Sequence, residues 1–74
     1  MFKLIVPGMK VKVFQGSNSG RKGRILFPAQ IGKIGGIPEI GGELYHADWR
    51  RELPIIYEDN GEIAFVAKSD LVRL

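Results

Sequence analysis

The chain contains no cysteine, so no disulfide staples it and no thiolate holds a metal. The same lack fits a reducing compartment. His46 is its one histidine, too few for a transition-metal site without cysteine partners, and no cofactor is expected. No apolar run approaches the roughly 20 residues that cross a bilayer. The opening Met1-Phe2-Lys3-Leu4-Ile5-Val6 is too short for a signal peptide and is stopped by Pro7-Gly8. The expectation is a cytoplasmic protein without a membrane partner. Catalytic sets are missing too. Ser17 and Ser19 lie far in sequence from His46, and Glu58, Asp59 and Glu62 cluster at a hairpin tip, a place usually solvated. Residues 32–42 carry neither the phosphate-loop pattern nor the dinucleotide fingerprint. This is the profile of a binding module, not an enzyme.

Acid is absent from the first half. Residues 1–37 hold Lys3, Lys10, Lys12, Arg21, Lys22, Arg24 and Lys33 and no carboxylate, whereas residues 38–74 hold four cations against eight acids; the net charge is +3. Such asymmetry either builds one positive face, which attracts a polyanion, or is cancelled where the halves meet.

With 74 residues, one domain over 1–74 is expected, with a small core. Ten glycines and four prolines punctuate the chain every few residues. No stretch carries an apolar stripe at helical spacing, so the fold class is all-β. Residues 2–6 are read as a first short strand. Val11 and Val13 then alternate with Lys10 and Lys12, which puts valines inward and lysines outward. Gly16 to Gly20 is a turn. Residues 21–27 form the next strand, with Gly23, Ile25 and Phe27 on one side and Lys22 and Arg24 on the other, ended by Pro28. Residues 29–42 space Ile31, Ile34, Ile37 and Ile40 by three, but their glycine density excludes a stable helix. They read as a long loop or an irregular hairpin, either functional or ordered by folding the isoleucines over one end of a barrel. Residues 53–58 form a strand in which Pro54 suggests an edge or a strand start. Asp59-Asn60-Gly61 is a hairpin turn, residues 62–67 return, Lys68-Ser69-Asp70 is a single helical turn, and residues 71–74 close the domain.

Two groups of side chains are candidates for function. Lys10, Lys12, Arg21, Lys22 and Arg24, with Lys33 farther on, offer the charge and reach that phosphates need; as plain strand cations they would be a solvated face. Tyr45, His46, Trp49, Arg50 and Arg51 offer a stacking and charge surface for a base or a peptide; equally, Tyr45 and Trp49 could fill a core poor in large side chains.

Residues 8–26, Gly8-Met9-Lys10-Val11-Lys12-Val13-Phe14-Gln15-Gly16-Ser17-Asn18-Ser19-Gly20-Arg21-Lys22-Gly23-Arg24-Ile25-Leu26, carry Gly16 and Gly20 bracketing a loop that needs unusual backbone angles. Gly23 would let the second strand pass close to the first. This stretch resembles the KOW motif of ribosomal proteins and transcription elongation factors. The resemblance implies an SH3-like barrel of about five strands, here with a long Gly/Ile-rich loop that departs from a minimal KOW domain. It also implies binding of RNA or DNA, or contact with a ribonucleoprotein or polymerase assembly, through Lys10, Lys12, Arg21, Lys22 and Arg24. The layout of residues 57–74 is similar to that of a family of small barrel proteins found in photosystem I, which uses the same barrel to dock proteins and binds no nucleic acid. The alternative is therefore a protein-docking accessory subunit or phage-type factor. Self-assembly through open strand edges is a third option.

Overall fold

The computed structural model describes residues 6–48 and 50–74. The strand expected over residues 2–6 therefore falls almost wholly outside the described residues. Eight strands follow: β1 (Lys10–Val13), β2 (Lys22–Ile25), β3 (Gly32–Ile34), β4 (Ile37–Ile40), β5 (Glu43–Leu44), β6 (Glu52–Tyr57), β7 (Ile63–Ala67) and β8 (Leu71–Arg73). They form two antiparallel sheets, one of five strands in the order β7-β6-β2-β1-β8 and one of three in the order β3-β4-β5. The fold is all-β, as the glycine and proline punctuation indicates.

The five-stranded sheet curls because its connections force it to. β7 and β8 are its two edges, yet only the 3₁₀ turn Lys68–Asp70 joins them. In a flat sheet four spacings would hold these edges about 19 Å apart, whereas three residues of 3₁₀ turn advance about 6 Å. The sheet bends into a small barrel whose interior takes the inward row of each strand. Val11, Val13, Ile25, Ile55, Tyr57 and Leu71 are buried there, with Met9, Leu53, Ala64 and Val66 packed around them. Ile55 and Val11 have no exposed surface; burying each contributes about 1.5–3 kcal/mol.

Gly23 is one place where only glycine fits. A Cβ there would collide with the Ile56 carbonyl oxygen and stand 2.6 Å from Ile55 Cγ2. The close approach is thus to β6, not to β1 as the sequence suggested. Pro54 also differs from expectation. β6 is a central strand, paired with β2 on one side and β7 on the other. Pro54 accepts from the Leu26 N–H at 3.0 Å but has no N–H to return. It closes the β2–β6 ladder where β2 ends and leaves the β7 side intact.

Residues 32–44 are not a loop. Gly35-Gly36 and Gly41-Gly42 all have positive φ, between 57° and 88°, and each pair is a two-residue connection between paired strands. Two successive positive φ values suit the right-handed twist of a hairpin and call for glycine. The three-residue isoleucine spacing arises from these turns, which set Ile34 directly opposite Ile37. The isoleucines do not act together as a plug. Ile31 lines a groove against the barrel, Ile34 is 58% exposed, and the fully buried residue of the meander is Pro38.

Candidate nucleic-acid interface

The period of two sorts the cations of the first hairpin. Val11, Val13, Gly23 and Ile25 point inward and are buried, while Lys10, Lys12, Lys22 and Arg24 take the alternate positions on the outer face. The register sets Lys10 opposite Arg24 and Lys12 opposite Lys22. Backbone hydrogen bonds join the neighbouring pairs instead, Val13 N–H to Arg21 O at 2.8 Å and Ile25 N–H to Met9 O at 3.0 Å. The cationic pairs therefore occupy the closely spaced sites of the ladder, where Cα atoms stand about 4.5 Å apart. Four positive side chains form a two-by-two block on one face, an arrangement that costs stability because like charges directly opposite repel.

The carboxylates of the second half barely reach this block. Glu58 Oε1 lies 3.7 Å from Lys10 Nζ, with both side chains about half exposed. No carboxylate among the described residues lies within ion-pairing distance of Lys12, Lys22 or Arg24. Arg24 donates from Nη1 to the Gly8 carbonyl at 3.1 Å, which orients the guanidinium and leaves its charge. The other acids are engaged elsewhere, most of them close in sequence. Glu39 accepts from Gly42 N–H, Glu43 from the Tyr45 hydroxyl, and Glu52 from Asp48 N–H. Asp48 pairs with Arg51 at 3.7 Å, Glu62 accepts from Asn60, and Asp70 from Gln15.

Arg21 stands apart from the block. It shares the inward parity of Gly23 and Ile25, and its guanidinium lies 3.6 Å from the centroid of the buried Tyr57 ring. Asp59 accepts from it twice, Nη2 to Oδ1 at 2.7 Å and Nε to Oδ2 at 3.1 Å, and Asn60 Oδ1 accepts at 3.2 Å. The hydrogen bond from Arg21 holds the Asp59 carboxyl below the usual carboxylate range, and the same bond raises the guanidinium pKa. Burial, opposed by the Arg21 charge, pushes the Tyr57 phenol up. The clasp ties the Gly16–Gly20 loop to the β6–β7 turn and caps one barrel end. Gly16 and Gly20 have φ of +93° and +95°, as their bracketing role requires.

Lys33 lies elsewhere, on β3, where it helps line a groove of about 340 Å³ with Pro7, Ile25, Leu26, Pro28, Ile31, Leu53 and Pro54. Phe27 beside Gly8 is 54% exposed. Of the second candidate group, Tyr45, His46, Arg50 and Arg51 lie among the described residues. The Tyr45 ring packs on Phe65 at 5.6 Å between centroids, and its phenol is raised by burial and by donating to Glu43. The Arg51 side chain is 85% exposed, and Arg50 donates its N–H to Asp48 Oδ1 at 3.0 Å. Trp49 lies outside the described residues. Among the described residues no group of three or more His, Cys, Asp or Glu could hold a metal, and no helix is long and apolar enough to cross a membrane. Compared with protein-family models, with curated proteins and with solved structures, the chain matches none.

Proposed function

We propose that this chain is a non-catalytic, cytoplasmic nucleic-acid-binding module of the KOW-like, SH3-like barrel type, which meets the phosphate backbone of RNA or DNA with the outer face of its first hairpin. The observation that carries the reading is the block of Lys10, Lys12, Lys22 and Arg24, three of which have no carboxylate within pairing distance among the described residues. A fold gains nothing by holding like charges in facing positions, whereas a polyanion releases its counterions to such a block. Glycine spacing and basic character over residues 8–26 support the same assignment. Arg21 serves the barrel end, and Lys33 sits on the other sheet.

The test is binding of labelled RNA and DNA at two salt concentrations. Affinity should fall steeply with salt, and a Lys22→Glu, Arg24→Glu variant should lose binding. A folded wild-type protein that binds neither nucleic acid at low salt would reject the proposal. A second reading, docking of a protein within a larger assembly, is favoured by the apolar groove between the barrel and the meander. Recovery of one protein after nuclease treatment would support it.

A further inference from the structure

The outward row of β1 does not end at Lys12. Phe14 follows in the same alternation, and its N–H donates to the Asp70 carbonyl at 2.9 Å, so the backbone pairing with the β8 side continues through it. Lys10, Lys12 and Phe14 thus stand in one line, about 6.8 Å apart from one to the next. Phe14 is 48% exposed. The Gly20 N–H donates to the Val13 carbonyl at 2.7 Å, which brings Gly20 alongside, and a side chain on Gly20 would meet nothing within 4 Å. The space on that side of the row is open. On the other side the Asp70 backbone faces Phe14, while the Asp70 carboxylate is drawn away to Gln15 Nε2 at 2.7 Å and to the Gly16 side. Along the row, two lysines are therefore followed by an exposed aromatic residue.

This order of cations and ring discriminates between nucleic acids. A duplex offers a flat protein face mainly its phosphates and keeps its bases stacked inside, so an exposed ring next to the cations gains little from it. In a single strand the bases are free to stack on an aromatic side chain. Resting on the polyanion reading above, we infer that Phe14 is a stacking platform for an unpaired base, and that the cationic block and this ring together form a site for single-stranded nucleic acid.

The test uses the full chain and fluorescence anisotropy with three labelled probes of equal phosphate count: a short single-stranded oligoribonucleotide, the same strand with abasic positions, and a duplex. A deoxy version of the first probe reports whether the sugar matters. The wild type should prefer the intact single strand to the abasic strand and to the duplex. Phe14→Leu should weaken the intact strand by about 5- to 150-fold, the range of one lost base–aromatic stack, and leave the abasic strand, the duplex and the salt slope unchanged. Phe14→Trp should restore or tighten binding. Equal losses on all three probes, or no loss on the intact strand, would overturn the role of Phe14. Equal wild-type affinity for intact and abasic strands, with steep salt dependence, would overturn it while the phosphate reading survives. Failure of the wild type to bind any probe at low salt would remove both. The comparison of probes on the wild type needs no variant to fold.

Discussion

If the cationic block exists for a ligand, neutralising its centre should stabilise the free protein and weaken the complex at once. The double variant Lys12→Gln, Lys22→Gln removes one directly facing pair and the contacts of both residues with Lys10 and Arg24. Two unit charges about 7 Å apart in water repel by about 0.6 kcal/mol, and screening at 0.1 M salt about halves this. Over the neighbouring pairs, less the attraction of Lys22 to Glu58 across the strand, the gain is about 0.5–1 kcal/mol. For a domain of this size that raises Tm by about 2–8 °C. Thermal melts followed by circular dichroism at low and high salt measure it, and the gain should fade as salt screens the repulsion. Binding must move the other way. Four phosphate contacts on a single strand give a slope of log K against log salt near −2.8, and losing two should about halve it. A variant that is less stable than the wild type at low salt, or that keeps the full slope, would refute the reasoning, because the facing cations would then be ordinary surface charge.

Three further outcomes follow from the barrel. Gly23→Ala drives a methyl into the β6 backbone and Ile55; overpacking of this kind costs about 1–3 kcal/mol, and a denaturant midpoint that does not fall would contradict the close approach. The Asp59 carboxyl is lowered by Arg21, so the clasp contributes stability that is present above the ordinary carboxylate value and is lost as pH falls through the lower folded value; Asp59→Asn should lose stability relative to wild type near neutral pH and converge with it once pH has fallen through that lower value, as melts across an acid series would show. The Tyr57 hydroxyl is buried without a hydrogen-bond partner among the described residues. Tyr57→Phe should therefore be neutral or stabilising by up to about 1 kcal/mol, and a large loss in a urea titration would show that the hydroxyl is satisfied.

Much of the first hairpin was legible because a period of two needs no tertiary information. Valines in and lysines out follow from alternation alone, and β1 and β2 obey it. The same alternation already separated Arg21 from Lys22 and Arg24, and grouping all three by charge overlooked it. The contact with Tyr57 and Asp59, residues 36 and 38 places away, is what the alternation could not supply. The meander was hidden by a different ambiguity. Glycine density argues equally for a loop and for tight hairpins, and what decides is that Gly35-Gly36 and Gly41-Gly42 each occupy a connection of two residues. A Gly-Gly pair flanked by strand-forming isoleucines is a hairpin signal in its own right. Pro54 misled because its missing N–H faces the side on which the ladder was ending, a fact of register that no local reading supplies. Phe14 shares the alternation that turns Lys10 and Lys12 outward, so its face was legible too; what alternation alone does not supply is that the residue is left half-exposed at the strand's end.

The distribution of acids bears on whether the charge asymmetry of the sequence survives folding. The halves do touch, since β2 pairs with β6 and β1 with β8, so proximity alone would permit neutralisation. It stays incomplete because hairpin tips and meander turns draw the carboxylates into local backbone and side-chain hydrogen bonds, at Gly42, Asp48 and Asn60 among others. What faces Lys12 and Arg24 from β8 and β6 is Val72 and Ile56, two aliphatic side chains with no charge to offer. A chain that carries eight acids yet sets valine and isoleucine beside two of its four clustered cations, and only Glu58 near the other two, keeps that face positive through its strand register, and register is fixed before any ligand arrives. Replacing Val72 by glutamate would place a carboxylate directly opposite Lys12, so it should stabilise the free protein at low salt and lower its affinity for a polyanion, in the same sense as removing the lysines.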